Sequence, residues 1–382
     1  MRASIRLQAL LLVFVLLASA FLRAQDRSAQ PQLARIRAQH LRHGINTSGW
    51  FAQNPGHYSA QYTNAETTPA DIALMAQLGF DNVRLGIDPD PLQQYPHDAN
   101  GFNADFLSRL DRAVDEMLSR GMAVQITIFP QDDYKQRLRN DPYAVDRFIM
   151  LWRNLAAHYA TRNPDKLFFE ILNEPEVNDP YRWAGIQARA AAAIREAAPR
   201  NTIIATGANY SDLPDLLAMH PLPDSNIIYT FHFYDPHVFT HQGATWSVPA
   251  WSYEHGIPYP PTAESMQRLL QLVPDLADRY DLENYWLDHW DAPHIRALID
   301  EAAEWGKLNR VPVLCNELGV FRQYSDPASR NRWIRDVRTA LEADSIGWDM
   351  WDFHGSFGVA IKKSGKSIPD PATANALGLP ER

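Results

Sequence analysis

Eight segments with strand character alternate with helical patterns between His43 and Trp351, and this alternation narrows the fold more than any other feature. A strand followed by a helix reads as a βαβ unit, whose crossover makes neighbouring strands parallel. After His43-Gly44-Ile45-Asn46, strands are predicted at Asn82–Asp88, Ala123–Phe129, Leu167–Asn173, 202–206, 226–234, 311–316 and 346–352. Helical spacing occupies Ala70–Leu78, Asn103–Gly121, 142–160, 182–198, 212–219, 263–280, 293–308 and 328–342. Eight parallel strands are the number that closes a barrel. The competing open, doubly wound sheet carries a glycine-rich phosphate turn after an early strand, whereas Pro89-Asp90-Pro91 follows Asp88 here. The expected fold is α/β: a (β/α)8 TIM barrel in one domain over residues 41–382, with an extended sixth βα loop.

Ahead of the barrel, Arg2 and Arg6 precede an apolar run from Ala9 to Leu22, broken only by Ser19. Those fourteen residues fall short of a comfortable membrane span. Ala18-Ser19-Ala20 has the small-x-small form of a cleavage site, with Ala24 as a second candidate. Residues 1–20 or 1–24 are therefore expected to be a secretory signal, which places the mature chain outside the cell or in the periplasm. Polar residues 25–40 form a lead-in. The net charge of −9 argues against nucleic acid, whose phosphates need a basic face. A monomer with no stable membrane partner is expected. The one cysteine, Cys315, excludes an intramolecular disulfide and any multi-cysteine zinc site.

Barrel enzymes carry their chemistry at the C-terminal ends of the strands. The second predicted strand carries Arg84, the fourth ends Asn173-Glu174-Pro175, and the sixth carries His232 and Tyr234. The seventh ends Asn316-Glu317, and the eighth carries Trp348 and Trp351. His232 and Tyr234 are two apart and so face the same side. Two carboxylates at the ends of different strands are the minimum equipment for glycoside hydrolysis. One must stay protonated to serve the leaving oxygen, and the other must be ionised. Arg84 is a candidate cation for keeping one of them charged.

Leu172-Asn173-Glu174-Pro175, His232-Phe233-Tyr234, Asn316-Glu317-Leu318-Gly319 and Gly347-Trp348-Asp349-Met350-Trp351 resemble, in that order, glycoside hydrolase family 5, the cellulase-like retaining β-glycosidases. The resemblance covers roughly residues 43–355. It implies that Glu174 is the acid/base and Glu317 the nucleophile. It implies that Asn173 binds the sugar 2-hydroxyl, that Tyr234 and Arg84 attend the nucleophile, and that His232 stands near the acid/base. Trp351 would line the subsite of the cleaved sugar, and no cofactor is needed. The implied substrate is a β-1,4-glucan or a short glucan chain; mannan, mixed-linkage glucan and glycolipid-like glucosides are the alternatives within the family.

One position departs from that pattern. The family usually has a histidine at the end of the third strand, where Phe129 stands here, and Gln131, Asp132 or Asp133 are candidate substitutes. Glu170 shares the parity of Glu174 and is expected deeper in the barrel, in need of a partner. Cys315, two before Glu317, is expected on the same face one layer down, as a buried apolar thiol. His232, His237 and His241 invite a metal reading, but Pro236 intervenes and a loop is expected there. Among the sixth-loop aromatics (Trp246, Trp251, Tyr253, Tyr259, Tyr285, Trp286 and Trp290), Trp246 is the candidate sugar platform. A glycan-binding barrel without catalysis and a metal-dependent hydrolase are the rival classes.

Overall fold

The computed structural model describes residues 33–380 except 55, 97, 247, 274 and 275. The expected export signal lies outside them. Eight parallel strands close a barrel in sequence order. They are β1 (His43–Thr47), β2 (Asn82–Ile87), β3 (Ala123–Ile128), β4 (Leu167–Glu170), β5 (Thr202–Thr206), β6 (Ile227–Phe233), β7 (Val313–Leu318) and β8 (Gly347–Met350). Pairing of β1 with both β2 and β8 closes the ring. The TIM barrel expected from the alternation is the fold of the chain.

Strand parity sorts the side chains into an inner and an outer set. At the base of the barrel Ala123, Phe168, Ile204, Ile228 and Leu314 form an apolar layer, plugged by Ala34 and Leu41. Above it the interior turns polar: Gln125 Nε2 donates to Asn82 Oδ1 at 2.7 Å and to Asp349 Oδ2 at 2.5 Å. The alternating partners Val83, Leu85, Val124, Ile126, Phe169 and Phe231 face outward into the main core beneath the helices. Two buried tryptophans tie helices to the strand ends that matter here. Trp152 Nε1, from helix Pro142–Tyr159, donates to Ile171 O at 2.8 Å, and Trp183 Nε1, from helix Pro180–Ala197, donates to Thr206 O at 2.9 Å.

Asp-Pro pairs start several helices. At Asp141-Pro142, Asp179-Pro180 and Asp326-Pro327 the aspartate caps free backbone N–H groups and the proline occupies the first helical turn. The predicted 263–280 helix is two, Ala263–Leu272 and Leu276–Leu287. The break follows from Pro274, since a residue before proline is driven to extended backbone; Val273 is at φ −95°, ψ 111°. The structure adds helices Ala60–Glu66, Asp132–Asn140 and Pro371–Ala376 and a hairpin, β9 (Ala360–Lys363) with β10 (Lys366–Pro369), none of which the hydrophobic pattern signalled.

Cys315 is a correction. Phe231 pairs with Cys315 but His232 pairs with Glu317, so Asn316 is an extra residue in β7. Such a bulge breaks alternation. Leu314 faces the barrel interior, and Asn316 Oδ1 takes the Thr230 hydroxyl inside it, while Cys315 packs outward in the core under the helices. Glu317 reaches the mouth because of the bulge, and Cys315 does not share its face.

Candidate active site

A cleft of about 1070 Å3 opens at the C-terminal mouth of the barrel. Glu174, Tyr234, Trp246, Glu317 and Trp351 line it, together with Phe129 and Lys135. Its centre is organised by Arg84, which projects inward from β2 with its side chain fully buried. Nε and Nη2 donate to Glu170 Oε2 and Oε1 at 2.6 and 2.7 Å. Nη1 donates to Asn46 Oδ1 at 3.0 Å and to Glu317 Oε1, and Nη2 also reaches Asn173 Oδ1 at 2.8 Å. Glu170 thus has its partner: a planar guanidinium that matches a carboxylate on one edge and holds a second carboxylate on the other. Burial would lower the affinity of Arg84 for its proton, but the charges of Glu170 and then Glu317 outweigh that and raise it.

Glu317 is held at its other oxygen by Tyr234, whose hydroxyl donates to Oε2 at 2.9 Å. His232 Nδ1 lies 3.1 Å from Glu174 Oε1 and 3.5 Å from Glu317 Oε2, between the two carboxylates. One oxygen of each carboxylate and one His232 nitrogen lie within 4.8 Å of one another. Asn173 is fully buried beside Glu174 and does not line the cleft; its Oδ1 accepts from Arg84, and its Nδ2 has no partner within the protein. Glu174 and Glu176 both sit in the left-handed backbone region, at φ 43° and 51°. For non-glycine residues this costs about 1–3 kcal/mol each and persists only where the surroundings enforce it.

The two carboxylates have different surroundings. Glu174 is 27% exposed to the cleft and Glu317 only 4%. Burial raises the proton affinity of Glu174, but the hydrogen bond and charge of His232, followed by Lys135 and Arg84, bring its pKa down to about 2 in the open cleft. Glu317 stands above the ordinary carboxylate range because burial and the Glu174 charge outweigh His232, Arg84 and Tyr234. The directions therefore oppose the order that acid catalysis by Glu174 requires. The two groups and His232 titrate as one set, so the proton is assigned to the set and not to one residue. A sugar over Glu174 removes water from the more exposed carboxylate and raises its proton affinity. Glu317, already dry, keeps the Arg84 and Tyr234 donors that favour its anion.

Trp351 lies across the cleft floor with Phe129 stacked on it, ring centroids 5.9 Å apart at 24°. Gln131 and Asp132 border the cleft near Phe129, whereas Asp133 is turned to the surface and paired with Arg137. Trp246 is 56% exposed and rests edge-on against Phe321 at 4.9 Å. Gly243, at φ 81°, makes the turn before it; a Cβ there would meet the Tyr324 ring. Trp251 also borders the cleft, while Tyr259, Tyr285 and Trp290 are buried and pack the insertion onto the barrel.

His237 opens a single helical turn, His237–Thr240, where a loop was expected. The spacing of four brings the His237 and His241 rings together at 5.1 Å, and Trp251 stacks on His237 at 5.4 Å. Neither joins His232 around a shared ligand position; among the described residues the one such acidic-histidine cluster is Glu174, His232 and Glu317. Residues that the sequence did not flag include Lys135, Asp212 and Asp352. Asp352 follows Trp351, is fully buried, and takes Ser48 Oγ; burial, opposed by the Ser48 and backbone hydrogen bonds, leaves its pKa at about 6.

Two carboxylates that meet at the mouth of a parallel eight-stranded barrel place the protein among the barrel glycoside hydrolases. The family described as cellulase (glycosyl hydrolase family 5) matches residues 43–356, and the chain belongs to it. It is 30% identical over 316 residues to endoglucanase C of Acetivibrio thermocellus, covering 81% of this chain and 90% of that one. It is 30% identical over 322 residues to cellodextrinase A of Ruminococcus flavefaciens, covering 78% and 91%. A crystal structure of a Thermotoga maritima endoglucanase in mutant form with cellobiose superposes with a TM-score of 0.71 at 26% identity, over 89% of this chain and 97% of that one.

Proposed function

We propose that this protein hydrolyses β-1,4-glucan, or oligosaccharides derived from it, with retention of anomeric configuration. The observation that carries the reading is that one carboxylate oxygen of Glu174 and one of Glu317 lie within 4.8 Å of each other. Retaining glycosidases hold their carboxyl groups about 5–5.5 Å apart, and inverting enzymes about 6.5–9.5 Å, to leave room for water. In the first step a Glu317 oxygen attacks the anomeric carbon and the bond to the leaving oxygen breaks. Glu174 gives that oxygen its proton. In the second step Glu174 takes a proton from water, whose oxygen displaces Glu317 from the same carbon. Arg84 and Tyr234 hold the attacking carboxylate in place, so no reorganisation is needed when its charge is spent.

The substrate class rests on the relatives, an endoglucanase, a cellodextrinase and a cellobiose complex, and on a cleft with the aromatic surfaces Trp246, Trp251 and Trp351 that suit the C–H faces of sugars. Proton NMR during hydrolysis of a cello-oligosaccharide tests the reaction: the β-anomer should accumulate first, and first appearance of the α-anomer refutes the assignment. Absence of any turnover would favour the glycan-binding alternative. Export by the Ala9–Leu22 segment belongs to the same proposal. Sequencing the exported protein should find an N-terminus at Phe21 or Gln25, and retention of Met1 would oppose it. Among the described residues no helix is long and apolar enough to cross a membrane.

A further inference from the structure

Helix Asp132–Asn140 has a buried face made of Tyr134, Lys135 and Leu138. A lysine on such a face is unusual, because its charge is costly to bury without a partner. Its side chain is only 5% exposed, yet it borders the cleft. Nζ lies 2.6 Å from Glu176 Oε1 and 4.0 Å from Glu174 Oε2. The left-handed backbone at both Glu174 and Glu176 turns two carboxylates, two residues apart, onto this one ammonium. Glu176 is also approached by Arg139 at 3.9 Å, from the same helix.

We propose that Lys135 is a positioning residue for the acid/base: clamped by Glu176, it fixes Glu174 on the leaving-group side and governs how readily that carboxyl keeps its proton. The inference rests on Glu174 being the acid/base. His232 approaches Oε1 of Glu174 and Lys135 approaches Oε2, so each carboxyl oxygen faces its own basic group. Of the groups that oppose the effect of burial on Glu174, Lys135 comes after His232 and ahead of Arg84. The remaining charged and titratable groups that line this cleft are Asp132 on the same helix, Glu317 from β7, Tyr210 and Asp212 after β5, Tyr234 after β6, His237 and His241 in the sixth loop, and Asp352 after β8. None of these is within ion-pair distance of Lys135 among the described contacts, whereas Glu176 is. Glu176 therefore divides the Lys135 charge between itself and Glu174.

The opposed signs of two substitutions test this. Turnover needs Glu174 protonated in the substrate complex, so kcat, which reports that complex, falls as pH rises through its apparent pKa there, on the alkaline limb. Lys135→Met removes a cation and should move that limb up by at least about 0.7 pH unit, the effect of a unit charge at 4 Å in water-like surroundings. Lys135→Arg keeps the charge and should leave the limb near its original place. Glu176→Gln releases Lys135 toward Glu174 and should move the limb down. The profiles are measured on an aryl β-cellobioside with a poor leaving group. Reduced activity in Lys135→Met with an unmoved limb, or an unmoved limb in Glu176→Gln, would overturn the proposal and leave Lys135 a packing residue. If Lys135→Met fails to fold, Glu176→Gln and Lys135→Arg decide alone. Glu174→Ala separates the two readings. Equal losses on good and poor leaving groups would remove Glu174 as the acid. Selective loss on poor ones, with unmoved limbs in the Lys135 and Glu176 variants, would remove only the role of Lys135.

Discussion

Arg84 and Glu170 form a fully buried two-point ion pair at 2.6 and 2.7 Å, and the same guanidinium holds Glu317. The pair fixes the plane of the guanidinium, and that plane aims Nη1 at the attacking carboxylate. Removing one partner of a buried pair leaves an uncompensated charge and typically costs about 3–5 kcal/mol. Glu170→Gln keeps the volume but removes the competing anion, so the charge of Arg84 falls more fully on Glu317. Glu317 must be ionised to attack, and kcat rises with pH through its apparent pKa in the substrate complex. The acid limb of kcat should therefore move to lower pH while the melting temperature falls. Calorimetry and a pH profile check both; an acid limb that moves up would show that Glu170 does not compete for Arg84.

The two carboxylates should fail differently. Glu317→Ala removes the atom that bonds to the sugar and should abolish turnover of every substrate. Glu174→Ala should cost about 10²–10⁴-fold on poor leaving groups and much less on activated aryl glycosides, which leave without a proton. Azide should restore Glu174→Ala on an activated substrate and give a glycosyl azide of retained configuration. A glycosyl azide of retained configuration from Glu317→Ala, with an inverted one from Glu174→Ala, would exchange the roles.

Where strand alternation is unbroken, side-chain direction was legible: His232 on β6 and Tyr234 just past its end face the same side, as their spacing of two requires, and both reach the Glu317 carboxylate that Arg84 on β2 also holds. Cys315 went wrong at the Asn316 bulge, because an extra residue is defined only by the partner strand. The pairing of Glu170 with Arg84 spans 86 residues and follows from barrel register, which local pattern does not carry. Lys135 escaped because Asp132–Asn140 is mostly polar, with three buried residues in nine, too few to register as an apolar stripe. Glu174 and Glu176 adopt left-handed backbone with no glycine to announce it, since tertiary contacts impose it.

Asp349 offers a test of the barrel interior. It is fully buried beneath Arg84, and its Oδ1 has no partner within the protein. Burial raises its proton affinity well above the ordinary carboxylate value, with Gln125 and Arg84 opposing and Glu170 adding to the rise. A carboxyl with a raised folded pKa binds more protons in the folded state. Its contribution to stability is thus lost as pH rises from the unfolded pKa toward the folded one. Asp349→Asn removes that loss and keeps an oxygen to accept from Gln125 Nε2. The variant should melt a few degrees higher than the parent at pH 7, and the difference should shrink toward pH 4. A lower melting temperature at both pH values would mean that the carboxyl is satisfied as it stands.

Trp246 decides whether the sixth loop contributes binding. It is more than half exposed at the cleft, with its ring against those of Phe321, Phe357 and His241. The buried Tyr259 and Tyr285 already anchor the insertion, through hydrogen bonds to Asp336 Oδ2 at 2.9 Å and to Pro258 O at 2.6 Å. Packing therefore does not depend on Trp246, and its truncation should leave the melting temperature almost unchanged. If a sugar beyond the cleaved bond stacks on it, that contact helps only substrates long enough to reach it. Trp246→Ala should then lower kcat/KM on cello-oligosaccharides roughly 10- to 100-fold, equivalent to about 1.4–2.7 kcal/mol. A small aryl glycoside should be turned over nearly as before. Equal losses on both substrates, with a reduced melting temperature, would make Trp246 part of the packing and not of the sugar-binding surface.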